Sequence, residues 1–200
     1  MKTPEHSKKY PTERLEAVVL MDEYMRECVD VPVFLEYCKE CRNYGKVWSC
    51  PPYDFSPEEY WKKFQAIHII GWKIYFPEEV TRRIYEEKER EELCVQLLFP
   101  YKQKLTEELL QMEKEIPGSV SLSAGSCLQC KQGNCARLTQ EPCRFPDQMR
   151  YSIESIGGNV GKTVTKYLHQ ELQWMEEGKM PEYFTLVCAL LLPDISSVSL

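Results

Sequence analysis

The sequence predicts an α+β fold: a single domain with an about five-stranded mixed sheet, helices packed on it, and two cysteine-rich metal-binding loops. Three observations point there. β-branched and aromatic runs recur between turn signals. One long segment repeats apolar residues at helical spacing. Seven of the ten cysteines fall in two dense groups. A length of 200 residues suits one domain, and 43% hydrophobic residues can bury a core at that size.

Residues 1–12 are polar and carry two prolines, so they read as a flexible arm before a domain spanning 13–193 and a tail over 194–200. "EAVVLMDEY" supplies a strand near 16–21. Asp30 caps a short helix with Pro32 in its first turn, sends Phe34 and Leu35 to the core, and delivers Cys38 and Cys41 at its end. Ser56, Pro57 and Glu59 form the start signal of a second helix. Residues 66–76, "AIHIIGWKIYF", read as a strand. From 78 to 116 the pattern is helical, with a stripe through Cys94, Leu98, Tyr101, Leu105, Leu109 and Met112 and an expected kink or break at Pro100. Within it, the acidic run at 86–92 reads as a solvated face.

"SVSLSAG" (119–125) is an expected strand running into the second cysteine group. A helix is expected from Pro146 to about Ile156, ended by Gly157 and Gly158. Another helix follows over 160–169, then strands at 171–175 and 183–192. Both faces of the last strand are apolar, which makes it a central strand covered on both sides.

A net charge of -6 argues against nucleic acid as a partner, because such binding needs a basic surface. No membrane association is expected, since no apolar run approaches the ~18 residues of a spanning helix. The first residues lack the apolar core of a signal peptide, so a cytoplasmic location with reduced thiols is expected.

Cys127, Cys130, Cys135 and Cys143 have the spacing C-x2-C-x4-C-x7-C and end in "CRFP". Ferredoxin-type clusters use a tighter run with a similar start and a nearby proline, so a [4Fe–4S] iron–sulfur cluster is the expected occupant. Gly125, Ser126 and Gly133 let the backbone bend around it. Zinc is the alternative, but zinc sites pair two C-x2-C knuckles, commonly ~15–20 residues apart. Here the two knuckles are separated by residues 42–126, which is 85 residues. Cys38, Cys41 and Cys50 form the first group, C-x2-C-x8-C-P-P, with Tyr44 and Trp48 placed to shield it. Its fourth ligand stays open between Cys28, His68, a cysteine of the second group and a group from outside the protein. Cys28 is disfavoured, because about eight helical residues between it and Cys38 would hold the two thiols ~12 Å apart along the axis.

"EYCKECRNYGKVWSCPPYDF", together with "SAGSCLQC" and "EPCRFPDQMRYSIESIGGNV", resembles an uncharacterised prokaryotic family of predicted metal-binding proteins, over about residues 20–192. The resemblance implies that Cys38, Cys41, Cys50, Cys127, Cys130, Cys135 and Cys143 are the metal set. It names neither the metal nor an activity.

"GGNVGKT" (157–163) is a near miss of a phosphate loop, because Ile156 stands where the first glycine is needed. Cys94 and Cys188 read as core residues, and His68 as a satisfied strand histidine. The leading expectation is a small redox or accessory protein that passes single electrons to a protein partner. Lys131, Arg137, Arg144 and Arg150 would provide positive charge near the cluster. The alternatives are a zinc-stapled binding module and an enzyme using an open coordination position at the three-cysteine site.

Overall fold

The computed structural model describes residues 10–130, 134–176 and 178–195. Most of the expected arm, most of the expected tail, Lys131 and Gly133 lie outside the described residues.

Four strands form one antiparallel sheet in the order β1-β2-β4-β3, where β1 is Thr12–Leu20, β2 is Ala66–Tyr75, β3 is Val120–Leu122 and β4 is Tyr183–Leu192. Both β2 and β3 run antiparallel to β4, which lies between them. The expected five-stranded mixed sheet is thus a four-stranded antiparallel one. The missing strand is 171–175, whose apolar alternation imitates a strand. It pairs through side chains instead: Gln173 Oε1 accepts the N–H groups of Glu182 and Tyr183, at 2.9 and 3.2 Å.

Six α-helices are present among the described residues. They are α1 (Met21–Cys28), α2 (Val31–Lys39), α3 (Pro57–Trp61), α4 (Glu78–Thr81), α5 (Glu87–Glu115) and α6 (Val160–Tyr167). The start signals of α2 and α3 work as side-chain chemistry dictates: Asp30 accepts from Val33 N–H, and Ser56 accepts from Glu59 N–H, both at 3.3 Å. The helical stretch from 78 breaks between α4 and α5, not at Pro100, which lies within α5. Pro100 and Gln96, whose carbonyl loses its partner, are both exposed, so water can take the missing bond.

β2 and β4 are covered on both faces. On one, Ile67, Ile69, Val187, Ala189 and Leu191 meet Tyr24 of α1, Trp61 of α3 and Val164 of α6. On the other, Ile70, Ile74, Leu186 and Cys188 meet Leu105 and Leu109 of α5. Buried polar tips are satisfied: Trp61 Nε1 donates to Ile156 O at 2.8 Å, and Tyr24 OH lies 2.9 Å from Thr163 Oγ1.

The helix expected from Pro146 to Ile156 is instead a turn at 146–148, where the Gln148 and Met149 N–H groups donate to Phe145 O, then a non-helical stretch and a 3-10 turn at Glu154–Ile156. Ser152 and Ser155 exchange bonds with each other's backbone N–H, at 3.0 and 3.2 Å, and such local bonds compete with a helix. The glycine stop is real. Gly157 has φ +93, and a Cβ there would stand 2.6 Å from the Val31 Cα of α2.

Candidate metal centre

Cys38 lies in the last turn of α2, and Cys41 and Cys50 sit on a string of tight turns between α2 and α3. Cys41 N–H donates to Cys38 O at 3.0 Å, so one turn carries both thiols. Cys50 N–H donates to Val47 O at 3.0 Å, and Gly45 N–H reaches Pro51 O at 2.8 Å, folding the third cysteine back toward the first two. The left-handed φ of +67 at Gly45 makes that reversal possible. Cys38, Cys41 and Cys50 act on one another electrostatically.

The second group follows β3. Cys127, Cys130, Cys135 and Cys143 likewise share one electrostatic neighbourhood. A 3-10 turn, Ala136–Thr139, begins directly after Cys135, and its Ala136 is buried. Residues 131–133, between Cys130 and Cys135, are outside the described residues.

The two loops are locked together. Ser49 Oγ accepts Cys127 N–H at 3.0 Å, beside Cys50. Asn43 Nδ2 donates to Ser126 Oγ at 3.3 Å, and Trp48 Nε1 donates to Glu141 O at 3.0 Å. Arg137, from the second loop, donates to Val47 O at 2.9 Å, to Pro52 O at 2.6 Å and also to Cys50 O. Its guanidinium lies over the Trp48 ring, 5.1 Å from the centroid. Downstream, Tyr53, Phe55, Tyr60 and Tyr151 form one aromatic cluster with centroids 4.8–5.6 Å apart. It joins the chain leaving the first group to the chain leaving the second.

Burial raises the Cys38 and Cys127 thiols above their ordinary value and pushes Cys50 up to about 11, against the pull of the Ser49 hydroxyl and Arg137. Cys41 is the exposed member of its group. Donor chemistry fits a soft, thiolate-loving metal: seven thiols in two neighbouring groups. The side chains share these neighbourhoods without converging on one point, and among the described residues no three ligating groups stand in a metal-holding arrangement.

The other candidates lie elsewhere. Cys28 is buried at the end of α1, where its thiol faces Thr163 of α6. His68 Nε2 lies 2.6 Å from Glu16 Oε2. It shares a sheet face with Ile70 and α5, while Tyr53, Tyr60 and Tyr151 pack on the opposite face. Cys188 is fully buried, and Cys94 Sγ lies 3.4 Å from Met175 Sδ.

Of the expected basic residues, Arg150 is paired with Glu113 of α5, its Nε 2.7 Å from Oε1. Arg144 donates to Asn134 O at 2.8 Å, and Arg137 is directed into the first loop. These arginines therefore brace the loops as much as they charge them. Sequence reasoning missed this bracing, and missed the aromatic cluster. "PPYDF" beside "MRYSIE" was the available signal, but nothing along the chain showed that the two segments meet.

A thiol-rich double loop is thus set against a small antiparallel sheet. The chain belongs to the family described as predicted metal-binding protein (DUF2284), whose model matches residues 26–192. Nothing among curated proteins or solved structures matches the chain.

Proposed function

We propose that the chain carries an iron–sulfur cluster, [4Fe–4S], on Cys127, Cys130, Cys135 and Cys143, and serves as a small cytoplasmic redox or accessory protein for a protein partner. The observation that carries this reading is the company the four thiols keep: Cys130, Cys135 and Cys143 each bear electrostatically on Cys127, within a loop of seventeen residues (127–143). Four thiolates on one wrapped loop are the ligand set of such a cluster, which supplies one-electron transfer when bound. Ser49 and Arg137 fix the loop against its neighbour, and Trp48 covers the seam between them. An anaerobic absorption spectrum tests the reading. It predicts a broad visible band that bleaches on reduction. A colourless protein containing zinc would support the zinc-stapled module instead.

One observation favours a second reading for the other group. Cys38, Cys41 and Cys50 supply three thiols, and the exposure of Cys41 leaves an approach from solvent. A cluster held there would keep one position open to a small ligand, the arrangement an enzyme needs. A spectrum that changes on adding cyanide, and no longer changes in Cys41→Ser, is its expected signature.

A further inference from the structure

The two edges of the sheet are finished differently. β3 is three residues long, and the Glu113 carboxylate accepts its Ser121 N–H at 2.6 Å. β1 forms the other edge and is nine residues long. Its register with β2 runs unbroken from Thr12 to Leu20, so it carries no bulge, and neither proline nor lysine lies within it. Bulges, prolines and lysines are the usual devices that keep an open edge from pairing.

The ladder fixes which backbone groups are free. Tyr75 N–H donates to Pro11 O at 2.9 Å, and Met21 N–H donates to Gln65 O at 2.8 Å. Antiparallel bonding alternates, so the odd-numbered residues of β1 bond to β2, while Thr12, Arg14, Glu16 and Val18 turn N–H and C=O outward. Among the described residues, these outward groups have no partner. Tyr10, just before β1, turns inward instead of along this edge. Its N–H lies 2.7 Å from the Tyr101 hydroxyl of α5, and its ring meets Phe76 edge-on at 5.6 Å.

Another strand can complete such an edge, and β1 is complementary to itself. In an antiparallel pair about a two-fold axis at Leu15, Arg14 stands opposite Glu16 of the second copy, and Glu16 opposite its Arg14. Thr12 and Val18 oppose one another in the same way. These pairs join outward-facing residues only, giving about eight backbone hydrogen bonds. Both charges stand on the α5 side of the sheet, where Arg14 contacts Glu108 and Glu16 lies beside His68. Their side chains keep 34% and 40% exposure, so each remains within reach of a second copy. On the other side Leu15, only partly buried in its own core, meets Leu15 of the second copy across the axis. Moving the axis by one residue sets Arg14 against Arg14 or Glu16 against Glu16, so charge favours the axis at Leu15. We infer that the chain forms a symmetric homodimer through β1, joining two four-stranded sheets into one continuous sheet. The second cysteine group follows β3, at the opposite edge, and stays clear of this pairing. The inference does not depend on which metal the cysteines hold.

Sedimentation equilibrium of the full chain as purified, with its metal and under reducing conditions, tests it. The parent is expected to be a dimer. Arg14→Glu sets carboxylates against each other across the axis, and Glu16→Arg does the same with guanidinium groups. Each variant alone should therefore dimerise about tenfold or more weakly than the parent. Mixed in equal amounts, the two variants are complementary at both charge pairs and should form a heterodimer. The double variant Arg14→Glu/Glu16→Arg restores both pairs and should dimerise like the parent. A purely local role for these side chains would give no rescue on mixing. The inference is overturned if the parent is monomeric at every concentration up to ~100 μM, if the single variants dimerise as the parent does, or if neither the mixture nor the double variant restores dimers. A monomeric parent that dimerises once residues 1–9 are removed would also overturn it, and would assign the edge to the chain's own first residues.

Discussion

Arg137 donates to three carbonyls of the first loop from its place in the second. A guanidinium can do this because its donors are fixed in a fork, whereas a lysine could reach only one or two of these oxygens. Arg137→Ala is therefore expected to cost about 2–3 kcal/mol and to loosen both loops, while Arg137→Lys recovers only part of that. Thermal denaturation beside metal content checks it; intact metal in both groups of Arg137→Ala would show that the loops are held independently. The scattered cysteines should behave differently. Cys94→Ala is expected to keep its metal and lose only packing, on the order of 1 kcal/mol. Cys28→Ser should also keep its metal, because that thiol is buried against α6. That seven cysteines fall in two groups was legible from spacing alone, since thiols carried on one loop are close in sequence. Arg137 was not, because its partners are 85–90 residues away.

At the scale of elements, one ion pair ties α5 to the segment after the second group. Arg150 binds Glu113, which also accepts from the N–H and hydroxyl of Ser121 in β3. Burial works to raise the Glu113 pKa, but these hydrogen bonds outweigh it and hold the carboxyl below its ordinary 4.5. A carboxyl depressed in the folded state contributes stability that is complete above its unfolded pKa and is lost as pH falls through the folded one. Glu113→Gln should thus cost about 3 kcal/mol near neutrality, and its deficit relative to the parent should shrink as pH falls from about 6 to about 3. Urea denaturation across that range measures it, and a deficit independent of pH would contradict it.

Gly157→Ala should be more damaging than most glycine replacements. It combines a left-handed φ with a close approach to Val31, and about 2–4 kcal/mol is expected by the same measurement. Local signals of this kind were readable in the sequence: the Asp30 and Ser56 caps, the stop at Gly157, and the two-sided apolar character of β4. The strand expected at 171–175 and the helix expected from Pro146 failed for a common reason. Gln173, Ser152 and Ser155 bond side chain to backbone, and apolar periodicity carries no trace of such bonds.

Across the whole molecule, the sheet and the cysteine loops draw stability from different sources. β2 and β4 are buried from both sides by α1, α3, α5 and α6. The cysteine loops have turns, a few polar cross-ties and the aromatic cluster. Removing the metal with a chelator should therefore leave the sheet folded while amides in 40–52 and 126–145 exchange faster, as hydrogen exchange by mass spectrometry would show. The most direct measurement is the iron, zinc and acid-labile sulfide content of anaerobically purified protein, in the parent and in Cys130→Ser and Cys50→Ser. The proposed function predicts iron and sulfide in equal amounts, about four of each per cluster, with Cys130→Ser losing the share held by the second group. Stoichiometric zinc without sulfide, in protein produced with ample iron, would contradict it.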